Sequence, residues 1–132
     1  MIILICAEEI YCGIKNIKFK FFIKLNSTNM EPTEIASSIA KKLETAWNNG
    51  IGKEFQESFS SPTDFVNIMG EHFFSVTRDE IGAGHQAIFD TIYKGSTIKY
   101  EIVQASMIDT NTIVAHMKSV LTSPSGPMAG IN

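Results

Sequence analysis

Between positions 32 and 49 apolar side chains return every three or four residues, at Ile35, Ile39, Leu43 and Ala46 or Trp47, which predicts an amphipathic helix. Pro32 suits its first turn, where a missing backbone N–H costs nothing. Gly50, after "NN", can take the left-handed conformation that closes a helix. Phe55 and Phe59, one turn apart, predict a short second helix over 52–59 that "SSPT" stops. Phe65, Val66 and Ile68, then Phe73 and Phe74, flank "MGEH" and predict a hairpin. Thr77 with Glu80 three residues on has the form of a capping box, and the stripe Ile81, His85, Ile88, Ile92 predicts a third helix running to "KGST". "TIKYEIVQASMI" then alternates Ile98, Tyr100 and Ile102 against Lys99 and Glu101, as a strand with one wet face does. After "DTNT" a returning strand puts Ile113, Ala115, Met117 and Leu121 on one face and His116 and Lys118 on the other. Helix, helix, hairpin, helix and long antiparallel strands together predict an α+β fold, with helices gathered on one face of a curved sheet.

Residues 1–29 differ in character. They hold Lys15, Lys18, Lys20 and Lys24 against Glu8 and Glu9, whereas the remainder of the chain is acidic on balance. In "IKFKFFIK" the apolar Ile17, Phe19, Phe21 and Ile23 alternate with basic residues, the pattern of a half-buried strand or of a basic arm. The helical periodicity starts only after Met30, so the expected layout is an N-terminal extension, 1–29, that the fold can spare, followed by one domain, 30–132.

A chain of 132 residues is long enough for one core and too short for two. Its formal net charge of -3, and the lack of a basic patch with interleaved aromatics, argue against nucleic acid as a partner. Charge does not precede an apolar run as it does in a secretory signal, and no apolar run reaches the length of a membrane span, so no membrane partner and a cytoplasmic location are expected. Cys6 and Cys12 form no CxxC pair, and the three histidines show no HxH or HExxH spacing, so no metal site and no cofactor are implied.

"AWNNG", "FSSPTDFVNIMGEH" and "GHQAIFDTIYKGST" resemble the SnoaL-like branch of the nuclear transport factor 2-like superfamily, in particular the group named after the enediyne-biosynthesis proteins SgcJ and EcaC. The resemblance runs from about residue 32 to 130 and implies a cystatin-like cone: three helices on a curved antiparallel sheet, with an apolar pocket between them. Ketosteroid isomerase, scytalone dehydratase and polyketide cyclases share that fold, so it does not imply a reaction. The isomerase's general base aligns with Asn67 and its oxyanion-holding tyrosine with Leu43; neither side chain can do that work. Ile51 stands where an aspartate commonly caps the second helix. The two strands that follow "GPMAG" in family members have no counterpart here, which would leave residues 113–121 as an unpaired edge and favour a homodimer, unless "IKFKFFIK" substitutes for a missing strand.

The resemblance and the spacing together place Trp47, Phe65, Asn67, His72, His85, Phe89 and Tyr100 around a pocket for a hydrophobic small molecule. On its stripe of isoleucines His85 reads either as a hydrogen-bonded packing residue or as a polar pocket group, and burial there would lower its pKa. Asn67, if buried, needs partners that a water or ligand could supply. Three readings stay open: a small-molecule-binding protein with or without catalysis, a dimerisation module using the face of His116 and Lys118, and an inactive truncated relic.

Overall fold

The computed structural model describes residues 2–10, 16–24, 30–67 and 70–124. Ile68 of the expected hairpin, Cys12 and the "GPMAG" segment lie outside the described residues. The chain runs through β1 (Ile2–Ile10), β2 (Asn16–Lys24), α1 (Pro32–Asn49), α2 (Gly52–Gln56), β3 (Thr63–Val66), β4 (His72–Val76), α3 (Arg78–Phe89), β5 (Thr97–Asp109) and β6 (Thr112–Thr122).

α1 begins at Pro32 and ends at Gly50, whose φ of 69° is left-handed and whose N–H donates to Trp47 O at 2.9 Å. Its buried stripe is Ala36, Ala40, Leu43 and Trp47, with Ile35 and Ile39 only half-buried. The second half of the stripe is the expected one, Leu43 with Ala46 and Trp47; in the first half the small Ala36 and Ala40 are the buried positions and Ile35 and Ile39 flank them. α2 is shorter than expected, ending at Gln56, and Phe59 is buried beyond it at 1% exposure. The capping box of α3 is present: Thr77 Oγ1 accepts from Glu80 N at 3.2 Å, and Thr77 N donates to Glu80 Oε2 at 2.7 Å. α3 stops at Phe89, well before "KGST"; the chain turns through 90–95, and Ile92 is 65% exposed rather than part of the helical stripe.

β1, β2, β6 and β5 form one antiparallel sheet in that order, and β3 pairs with β4 in a separate hairpin whose first strand packs beside β1. β6 is thus an inner strand and not a free edge. β2 pairs with it along its length, setting Phe19 opposite Met117, Phe21 opposite Ala115 and Ile23 opposite Ile113. Ile23 and Ile113, 1% and 0% exposed, belong to the core. The edge of β6 expected to be unpaired, which motivated a homodimer, is thus paired with β2, as the alternation in "IKFKFFIK" allowed. β5 is an outer strand, and α1 covers part of its free side. Glu44 Oε2 accepts from Tyr100 N at 3.0 Å, and the Asn48 amide exchanges two bonds with Ile98, at 2.7 and 3.1 Å. These satisfy backbone groups that β6 cannot reach.

Candidate functional site

Aromatic and aliphatic side chains line a half-open cavity of about 540 Å³ between the helices, the sheet and the hairpin. Leu43 and Trp47 of α1 and Phe55 of α2 form one wall; Ile98 and Tyr100 of β5 with Met117 and Leu121 of β6 form the floor. Phe65 and Val66 of β3, with Phe73 and Val76 of β4, close the hairpin side. α3 contributes Ile81, Gly84, His85 and Ile88.

Two glycines bring α2 and α3 close enough for this. A Cβ on Gly52 would lie 2.2 Å from Gly82 O, and one on Gly82 would run into the Gln56 side chain. α2 lacks a capping side chain at Ile51, yet Gly52 N donates to Gln86 Oε1 at 2.9 Å, so α3 supplies the missing cap. The same amide donates to Gly50 O at 3.2 Å and ties α3 to the end of α1.

That contact holds His85 in a cage of rings. Its imidazole stacks on Phe55 with centroids 4.1 Å apart and planes 27° from parallel, and Phe65 meets it edge-on at 5.5 Å. Trp47 and Phe89 stand at 6.4 and 6.0 Å. Nδ1 lies 2.8 Å from Ile81 O, one turn back on α3. Burial among uncharged rings pushes the His85 pKa down to about 4, and the bond to Ile81 O only partly offsets it. His85 is thus at once packed and a cavity wall, and the lowered pKa expected from its stripe is present. Tyr100, on the floor, has its phenol pKa pushed up by burial and, secondarily, by the Glu44 carboxylate.

Of the seven expected residues, Trp47, Phe65, Asn67, His85 and Tyr100 meet on the cavity. Trp47 is also core, and its Nε1 donates to Ser96 Oγ at 3.0 Å, which in turn donates to Tyr93 O at 2.7 Å. Asn67 does not need a ligand for its amide: Nδ2 donates to Glu71 Oε2 at 2.7 Å and Oδ1 accepts from Glu71 N at 3.0 Å. His72 is exposed on β4 against Phe74 and does not line the cavity. Phe89, 5% exposed, sits behind the wall and packs on Trp47 at 5.0 Å without lining the cavity. Tyr93, Ile98, Met117 and Gly84 line it without having been expected to. The period-two pattern placed Ile98 and Met117 on the inner face, which was the available signal for those two.

No protein-family model matches the chain, and no curated protein matches it. Among solved structures it is similar to a domain of unknown function with a cystatin-like fold from Nostoc punctiforme. The two share 26% identity with a TM-score of 0.68, over 76% of this chain and 60% of that one. The architecture is therefore cystatin-like α+β, and the chain spans less than two thirds of that neighbour's length. No helix among the described residues is long and apolar enough to cross a membrane.

Proposed function

We propose that this is a small-molecule-binding protein of the SnoaL-like, nuclear transport factor 2-like type, holding an apolar ligand in the cavity between helices and sheet. The observation that carries the reading is the cavity itself: about 540 Å³, walled almost wholly by aromatic and aliphatic groups with a few polar atoms. Its position between the helices and the sheet is where the resemblance implies a pocket, and both residues aligned with the isomerase machinery, Leu43 and Asn67, lie on it. Since Leu43 has no proton to donate and the Asn67 amide is not a base, the reading is binding rather than isomerase-type enolisation. His85, with a pKa near 4, is a weak base at neutral pH.

Trp47 is the only tryptophan of the chain and lies on the cavity wall, so its fluorescence reports occupancy directly. Titration with the neutral dye Nile red should give saturable energy transfer from Trp47 at one dye per chain, with a rise in Tm. A linear, non-saturating response would refute the binding reading.

A further inference from the structure

The polar atoms of the cavity have a defined hydrogen-bonding sense. Ile81 O can only accept, so Nδ1 of His85, 2.8 Å away, carries the ring proton. In the neutral imidazole the other nitrogen, Nε2, then holds a lone pair and no hydrogen. Nε2 lies on the ring edge away from the α3 backbone, and among the described residues no protein group bonds to it. Stacking on Phe55 and the edge contact with Phe65 fix the ring plane, and a half-turn within that plane would put Cδ2 in place of Nδ1 and forfeit the bond to Ile81 O, so that bond sets which way the ring faces. Nor does the polarity invert near neutral pH, because burial keeps the ring uncharged down to about pH 4.

The charges on the wall narrow the choice further. Among the described residues no lysine or arginine lines the cavity, and the one charged side chain that does, Glu80, is acidic. An anion would find no counter-charge and a carboxylate to repel it. An ether, ketone or ester can accept from the Tyr100 hydroxyl but has no hydrogen to offer Nε2, which it would cover and leave unpaired.

We infer that the cavity takes a neutral, largely apolar alcohol or phenol, whose hydroxyl donates to Nε2 of His85. This rests on the cavity being a small-molecule site, and adds to that reading the class of ligand. The hydroxyl of Tyr100, which has no protein partner among the described residues, is a donor available to a ligand oxygen on the same wall.

Four saturated bicyclic probes, transparent where Trp47 is excited, test this on the full chain: decahydronaphthalene, decahydro-2-naphthol, its methyl ether, and decahydronaphthalene-2-carboxylate. The alcohol should bind about tenfold more tightly than the ether or the hydrocarbon, the factor expected for one buried hydrogen bond, and the carboxylate should bind least. In His85→Phe the alcohol should fall to the level of the ether while the hydrocarbon keeps its affinity. The nitrogen-15 resonance of Nε2 in the unmodified chain gives an independent reading: it should move on adding the alcohol and stay in place with the ether. Equal binding of alcohol and ether, or an alcohol preference that survives His85→Phe, would overturn the ligand class while the cavity reading stood. Failure of all four to bind, the hydrocarbon included, would overturn both.

Discussion

Replacing His85 with phenylalanine should make the protein more resistant to acid without changing its stability much at neutral pH. The His85 pKa is about 4 in the folded chain against an ordinary value of 6.5. Above pH 6.5 the ring is neutral whether the chain is folded or not, and it contributes no pH dependence. Between 6.5 and 4 the unfolded chain takes up a proton that the folded chain refuses, so stability falls as the pH falls, by about 1.4 kcal/mol per unit. The loss levels off below pH 4 and amounts to about 2 to 3.5 kcal/mol, the lower figure allowing for the side of the ring that faces the cavity. Phenylalanine keeps the stack on Phe55 and has nothing to protonate. Carboxylates titrate in part of the same window, so the informative quantity is the difference between the two proteins. Urea unfolding at pH 7.0 and 4.5 should place the variant within about 1 kcal/mol of the parent at the higher pH and about 2 kcal/mol above it at the lower. Parallel loss of stability in both proteins would show that His85 is not buried as a neutral base, and would remove the basis for its tautomer.

Gly84→Leu should leave the fold intact and raise stability by up to about 1 kcal/mol, because a Cβ there meets nothing within 4 Å and glycine is a poor helix former; its side chain would enter the cavity, so Nile red should bind more weakly while Tm holds or rises. Gly52→Ala should cost about 3 kcal/mol or more, since its Cβ would meet the Gly82 carbonyl at 2.2 Å; a melting curve identical to the parent's would contradict the close approach of α2 and α3. Glu44→Ala should cost about 2 kcal/mol by leaving the Tyr100 N–H without its charged acceptor, and the cost should shrink at low pH. Burial tends to raise the Glu44 pKa, but the bond from Tyr100 N and the nearby Lys41 and Lys99 hold it below its ordinary value, so that stabilisation is present above the usual carboxylate range and lost as pH falls through the folded value. Ile23→Ala should cost about 2 to 5 kcal/mol by urea unfolding, the range for a buried isoleucine; a negligible loss would return residues 1–29 to the status of a spare extension.

The parts of this fold that depend on neighbours in sequence were readable from it. The span of α1, the Gly50 stop, the Thr77–Glu80 box and the alternation of β5 and β6 follow from spacings of two to four residues, and the structure has them all. The parts that depend on distant residues were not. Gln86 capping α2, and Glu44 and Asn48 covering β5, are contacts across 34 to 56 positions, and polar residues on helix faces carry no mark of what they will bond. Ile92 shows the converse: it keeps the helical period after the helix has ended, so periodicity alone overran α3 by one turn. At the site, period marked His85 as inward-facing, but its tautomer required the Ile81 carbonyl and its pKa required Phe55, 30 positions away.

The N-terminal strands show why the cavity and the stretch before residue 30 cannot be treated separately. Met117 and Leu121 form part of the cavity floor from β6, and β6 is held between β5 on one side and β2 on the other. A strand with ladder bonds on one side only is prone to fray and to slip register, and a one-residue slip would turn Met117 and Leu121 away from the cavity and His116 and Lys118 into it. β2 prevents that slip by pairing with β6 from Thr112 to Val120, and Ile23 opposite Ile113 locks the inner face at one end. The contact of Ile23 with the core beside Ile113 therefore bears on which face of β6 looks into the cavity, so a change at Ile23 should loosen ligand binding as well as lower stability, although Ile23 does not line the cavity itself.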